Sequence, residues 1–277
     1  MMQATLRSVV RFDGIGLHTG ADASIEIRPA APDFGIRFLL GGAHIPATVE
    51  YVVETSRATV LGIGERSVST VEHVLSALVG LGVTNAELAV SGPEVPIVDG
   101  SAKAFADAIF AVGVETQPRP CAMLELREPF EIREDDRALI LLPSDRLRVR
   151  FLADFPPPIG VQYFDRVIDP DVYRAEVAPA RTFGYLDEIE ALRARGLARG
   201  GNIENALVFS PEGAMQTLRW PDEVVRHKVL DLLGDLALLG FGLRCDVFAV
   251  KSGHGLHARA MLALRSRHLA ALSARSA

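Results

Sequence analysis

Between positions 224 and 243 the chain carries its most apolar long stretch, and that stretch contains charged residues which an apolar helix tolerates badly. Val229, Leu230, Leu232, Leu233, Leu236, Leu238 and Leu239 leave no wet face on a helix running from about 222 to 239, so the helix has to be buried on every side. Arg226, His227, Lys228, Asp231 and Asp235 interrupt it, which rules it out as a membrane span of roughly 20 apolar residues. Buried charge needs partners. His227, Asp231 and Asp235 stand at i, i+4 and i+8, and at about 3.6 residues per turn they fall in one stripe. An imidazole and a carboxylate one turn apart can close on a single cation, and the pair is a normal one for zinc. The plainer alternative is a hydrogen-bonded His-Asp pair at a helix–helix contact.

A second helix offers what such a cation would lack. Ser69-Thr70-Val71-Glu72 opens like a capping box, apolar residues follow at helical spacing through Val79, and Gly80 and Gly82 close the segment. Zinc in a hydrolase takes three protein ligands, keeps one position for water and has a carboxylate in reach of it. Adjacent residues on a helix point about 100° apart, so His73 can face a metal while Glu72 faces the water. The competing role for Glu72 is the capping box itself. Neither metalloprotease signature is met, because Ala77 and Ser69 stand where a second histidine would be needed. In Lys251-Ser-Gly-His254-Gly255 a histidine sits on a glycine-flanked turn after a strand, where it can act as general acid for a leaving amine or simply face solvent. Gly14-Ile-Gly-Leu-His-Thr-Gly20 is glycine-rich, but a strand follows it, so it is not a dinucleotide fingerprint.

Strand patterns at 8–12, 23–28, 35–39, 57–61 and 84–90 surround the 69–79 helix, and a second helix covers 102–112. Residues 115–120 read as a linker. Strands then recur at 123–126, 138–142 and 147–151, followed by the Pro156-Pro157-Pro158 turn, the polar-striped helix, a strand at 246–251 and a C-terminal helix. The repeated order predicts an α+β protein of two domains, 1–117 and 121–277. A faint echo between His73-Val-Leu-Ser-Ala-Leu and His227-Lys-Val-Leu-Asp-Leu supports this. A net charge of −6 argues against nucleic acid as a partner. Cys121 and Cys245 suggest neither a disulfide framework nor a thiolate zinc site, as expected of a cytoplasmic chain, and the first 14 residues lack the apolar core of a secretory signal.

Six motifs, in order, resemble the UDP-3-O-acyl-N-acetylglucosamine deacetylases, the zinc amidases of lipid A synthesis in Gram-negative bacteria: Gly14-Ile-Gly-Leu-His-Thr-Gly20, Ser69 through Leu78, Glu94-Val-Pro-Ile-Val-Asp-Gly-Ser-Ala102, Ala180-Arg-Thr-Phe-Gly184, Arg226-His-Lys-Val-Leu-Asp231 with Gly234-Asp-Leu236, and Lys251-Ser-Gly-His254. The resemblance implies two similar domains, each a small mixed sheet layered against helices with the active site between them, and Zn2+ held by His73, His227 and Asp231, with Glu72 as general base. It implies Thr182 as oxyanion donor, and His254 as the cationic acid oriented by Asp235. Lys228, Phe183 and Leu17 would contact substrate, and an insert at about 185–206 would form the passage for the fatty acyl chain. The partner implied is the acylated UDP-sugar, hydrolysed by a cytoplasmic monomer without a membrane segment. The chain departs from the family's common pattern at Gly255 (usually Ala), His257 (usually Asn) and Pro157 (often His). Two other readings stay open: a non-catalytic paralogue binding an acylated sugar nucleotide, in which His257 could complete a closed metal sphere, and a deacetylase with a shifted substrate.

Overall fold

The computed structural model describes residues 1–276, with side chains through 270. In the first half the strands are β1 (Met2–Leu6), β2 (Val10–Ile15), β3 (Asp22–Pro29), β4 (Ile36–Leu40), β5 (Ala43–Pro46), β6 (Val52–Glu54), β7 (Val60–Ile63), β8 (Arg66–Val68), β9 (Ala86–Ser91) and β10 (Val114–Pro120). Helices α1 (Glu72–Gly80) and α2 (Lys103–Val112) flank β9 in sequence. The second half holds β11 (Met123–Glu125), β12 (Phe130–Glu134), β13 (Arg137–Pro143), β14 (Arg148–Asp154), β15 (Val161–Val167), β16 (Phe183–Tyr185), β17 (Leu207–Ser210), β18 (Gly213–Ala214) and β19 (Gly242–Val250). Its helices are α3 (Pro170–Val172), α4 (Ile189–Ala194), α5 (Glu223–Ala237) and α6 (His254–Ser276).

The two main sheets have the same topology. One runs β2-β3-β9-β4-β5 and the other β12-β13-β19-β14-β15. In each, a central strand lies between two hairpins, antiparallel to the first and parallel to the second. In each, one helix precedes the central strand and one follows it, so α1 corresponds to α5 and α2 to α6. The α+β expectation therefore holds, and the echo between the His73 and His227 helices follows a structural repeat.

Alternation explains which sheet faces are buried. Leu88 and Val90 of β9, Val149 and Phe151 of β14, and Val247 and Ala249 of β19 point to the core at period two, while the residues between them are wetter. The helices form the inner layers. Val74, Leu75 and Leu78 of α1 join Val229, Leu232 and Leu233 of α5 in one continuous apolar core that spans both halves. At the crossing a Cβ on Gly234 would come within 2.1 Å of the Glu72 carbonyl oxygen. Only glycine lets the two helix backbones approach this closely.

Three local expectations change. Residues 115–120, read as a linker, belong to β10, which pairs antiparallel with β1, placing Val114 opposite Leu6. The capping box does not form: Val71 precedes α1, no side chain caps it, and Thr70 sits at φ 58°. Finally, His254 is not on a turn but is the first residue of α6. No helix among the described residues is long and apolar enough to cross a membrane.

Candidate metal centre and active site

Because α1 and α5 touch at Gly234, the first turn of α1 faces the middle of α5. His73 and His227 meet edge to face, with ring centroids 5.1 Å apart. Nε2 of His227 lies 3.3 Å from Asp231 Oδ1, and Nε2 of His73 lies 3.9 Å from the same oxygen. All three side chains are buried. His227 donates its Nδ1–H to the Ala180 carbonyl at 3.0 Å, which leaves the Nε2 lone pair turned toward Asp231.

This donor set fits a divalent ion. Two atoms bound tetrahedrally to one zinc at about 2.0–2.1 Å lie about 3.3 Å apart, the separation found between His227 and Asp231. His73 buries its Nδ1 without any hydrogen-bond partner, so polar contacts to protein do not account for its position. Burial holds the His73 imidazole down at about 3 and lowers His227 as well, so both are neutral, as ligands must be. For Asp231 burial pulls upward, but Lys228, His227 and His254 together hold the carboxyl well below the usual carboxylate range. Lys228 Nζ reaches Asp231 Oδ2 at 2.6 Å.

Glu72 stands beside this cluster and is almost fully buried. Its Oε2 accepts the Thr59 amide at 3.0 Å, so its carboxylate turns into the site and not toward Ser69. Burial raises it to about 8 against the opposing pull of His254. His254 Nε2 faces Asp231 Oδ2 at 4.0 Å while its Nδ1 bonds Asp235 Oδ2 at 2.8 Å. Its side chain is 9% exposed, and although burial alone would lower His254, Asp235, Asp231 and Glu72 raise it to about 9, so it is an imidazolium at neutral pH. The solvent-exposed alternative for this histidine is thereby excluded. Asp235→Asn removes the main source of that rise, so the decline of kcat/KM at high pH should move to lower pH by about one unit or more. A pH–rate profile with an unmoved basic limb would show that His254 is not the group seen there.

The remaining predicted residues lie at the rim. Thr182, two residues after the carbonyl that orients His227, is held by its backbone N–H, which donates to Gly100 O at 2.7 Å. Phe183 stands edge-on to His227, with centroids 6.3 Å apart, and to Phe155. Leu17 is buried, and its carbonyl accepts the Gly200 amide, which ties the 14–20 loop to the insert. The insert is a β16–α4–β17 crossover with parallel strands, pinned to the first half by an Arg57–Glu188 ion pair at 3.0 Å. Leu186 and Ile203 are exposed on it. Next to Lys228 lies a cavity of about 310 Å³ lined by Arg137, Asp154, Phe155, Lys251 and Ser252. A larger hollow, about 1200 Å³, sits at the far ends of α1 and α5, around Gly80, Leu236 and Gly240.

Sequence reasoning missed Thr59, whose hydroxyl donates to Asp235 Oδ1 at 2.6 Å while its amide holds Glu72. Nothing in the local pattern marks it. Sequence reasoning placed Glu94 in a motif but gave it no role: it is a buried carboxylate that gathers the amides of His18 and Thr19 with the Thr70 hydroxyl, fastening the glycine-rich loop beside α1. His257 is engaged by Asp235 and Ser252 at 2.7 and 2.8 Å, so it does not close the sphere formed by His73, His227 and Asp231. A Cβ on Gly255 would meet only Thr55 Oγ1, at 3.4 Å, so space does not explain that glycine.

Residues 3–266 match the family model described as LpxC, UDP-3-O-acyl N-acetylglycosamine deacetylase. The chain belongs to this family. A UDP-3-O-acyl-N-acetylglucosamine deacetylase of Myxococcus xanthus is 42% identical over 92% of this chain and 83% of its own length. The proteins of the same name from a Nostoc species and from Chlamydia abortus are 41% and 40% identical, covering 93% and 91% of this chain and 96% and 92% of their own lengths. In this chain, α1 supplies the candidate ligand His73 and α5 supplies His227 and Asp231.

Proposed function

We propose that this chain hydrolyses the N-acetyl amide of UDP-3-O-acyl-N-acetylglucosamine, releasing acetate and the 3-O-acyl-glucosamine nucleotide, in lipid A biosynthesis. It is a hydrolase acting on a carbon–nitrogen bond other than a peptide bond. The observation that carries the reading is the convergence of His73, His227 and Asp231 on one point, with Glu72 beside it and hydrogen-bonded to none of them.

His73, His227 and Asp231 would hold zinc, which when bound would polarise the acetyl carbonyl and make an attacking water acidic near neutral pH. Glu72 takes the proton of that water through the carboxylate oxygen not engaged by Thr59. His254, kept cationic by Asp235, faces the same point through Nε2 and gives its proton to the departing sugar nitrogen. Thr182 donates to the oxyanion of the tetrahedral intermediate. Lys228 holds Asp231 and borders the 310 Å³ cavity, where Lys251 is already paired with Asp136 and Asp154. Phe183 packs on the hexosamine, and Leu17 with the 185–206 insert lines the acyl passage.

In this reading residues 1–117 and 121–277 are two domains of a cytoplasmic monomer. A deacetylation assay on substrates of graded acyl length, with metal-stripped protein and zinc added back, tests the whole. Stripping should abolish acetate release and zinc should restore it. Metal binding without acetate release at any acyl length would favour a non-catalytic paralogue.

A further inference from the structure

Asp235 is held by three side chains at the edge of the site. Thr59 Oγ1 donates to its Oδ1 at 2.6 Å, and the Nδ1 atoms of His254 and His257 lie 2.8 and 2.7 Å from its Oδ2. His254 and His257 are three residues apart in the first turn of α6, so their rings stand on one face of the helix. His257 is completely buried, and Ser252 Oγ sits 2.8 Å from its Nε2. The hydrolysis described above uses His254 and Asp235 and gives His257 no task.

We infer that His257 is a positioning residue for this reaction: clamped between Ser252 and Asp235, it fixes the carboxylate orientation that presents His254 Nε2 to the substrate. The inference rests on the role assigned to His254. An ionised carboxylate only accepts hydrogen bonds, so His257 must carry its proton on Nδ1, and the Ser252 hydroxyl then donates to Nε2. Burial lowers the His257 imidazole, in keeping with this neutral tautomer. With His257 and His254 on one oxygen and Thr59 on the other, turning the Asp235 carboxylate breaks three bonds at once. Without His257 it would break two, and the oxygen facing His254 would have a free lone pair with which to swing.

A second cation at Asp235, His254 and His257 is a poorer account of these distances. Atoms that share a tetrahedral zinc lie about 3.3 Å apart, whereas these pairs are at hydrogen-bond separation.

The test compares His257→Asn with His257→Leu in zinc-loaded protein, with His254→Ala as reference. The amide nitrogen of Asn hangs from Cγ as Nδ1 of His does, so Asn keeps the bond to Asp235 and loses only Ser252. We expect kcat of the Leu variant to fall about 10–100-fold with KM and zinc content unchanged. The Asn variant should recover to within about threefold of the parent. In proton spectra the imidazole N–H signal of His254 should stay in place in the Asn variant and shift in the Leu variant. Should the Leu variant fold and keep its kcat, or should Asn be as impaired as Leu, His257 does not act through Asp235. If His254→Ala retains turnover, the assignment of His254 falls and this inference with it. An inactive His254→Ala beside a fully active His257→Leu overturns the inference alone.

Discussion

Glu72→Gln is expected to bind zinc with the stoichiometry of the parent protein and to lose about a thousandfold in kcat. Gln has the same shape, and its carbonyl can still accept the Thr59 amide that holds Glu72 at 3.0 Å. What disappears is the proton acceptor, and removing a positioned general base costs about 10²–10⁴-fold. Stability should not suffer. The amide matches the carboxyl in size, stays buried, keeps the Thr59 bond and places no charge in the interior. Metal analysis, a thermal melt and steady-state kinetics on one preparation check all three statements. Turnover above a tenth of the parent value would mean that another group takes the proton.

Gly234→Ala should do damage of a different kind. In an ordinary helix interior this change stabilises by about 1 kcal/mol. Here the new methyl would meet the carbonyl oxygen of Glu72 at 2.1 Å and its carbonyl carbon at 2.7 Å, and both are backbone atoms with no rotamer to yield. Overpacking of this sort costs about 1–3 kcal/mol, occasionally more, so it outweighs the gain in propensity. Forcing α1 from α5 also separates His73 from Asp231 and Glu72 from the reacting point, and a displacement of about 1 Å can cost 10²-fold in rate. We expect lower stability in urea melts, weaker zinc retention and roughly hundredfold lower activity. A variant that melts like the parent and turns over normally would show that the helices do not need this contact.

The polar stripe on α5 was legible because helical periodicity alone places His227, Asp231 and Asp235 on one side, and an oily helix cannot leave them unpartnered. The doubled domain plan could be read from element order. Ser69 misled because the capping-box pattern is a local statement, while here the chain turns at Thr70 with positive φ and Ser69 bridges to Glu94. The prolines in 115–120 resembled a linker, yet an edge position lets β10 carry them without losing a ladder bond at every residue. Thr59 was beyond reach: its bond to Asp235 spans 176 residues of sequence, and a threonine just before a strand is unremarkable until the helix that it meets is known. The glycines around His254 suggested a loop, but the first turn of a helix accepts them too.

The apolar core that α1 and α5 share limits how a substrate can arrive. Swinging the halves apart like jaws would wet Val74, Leu78, Leu232 and Leu233, at about 1.5–3 kcal/mol for each side chain. A substrate therefore has to reach His73, His227 and Asp231 while the two helices stay packed, from the edge of their seam and not through its middle.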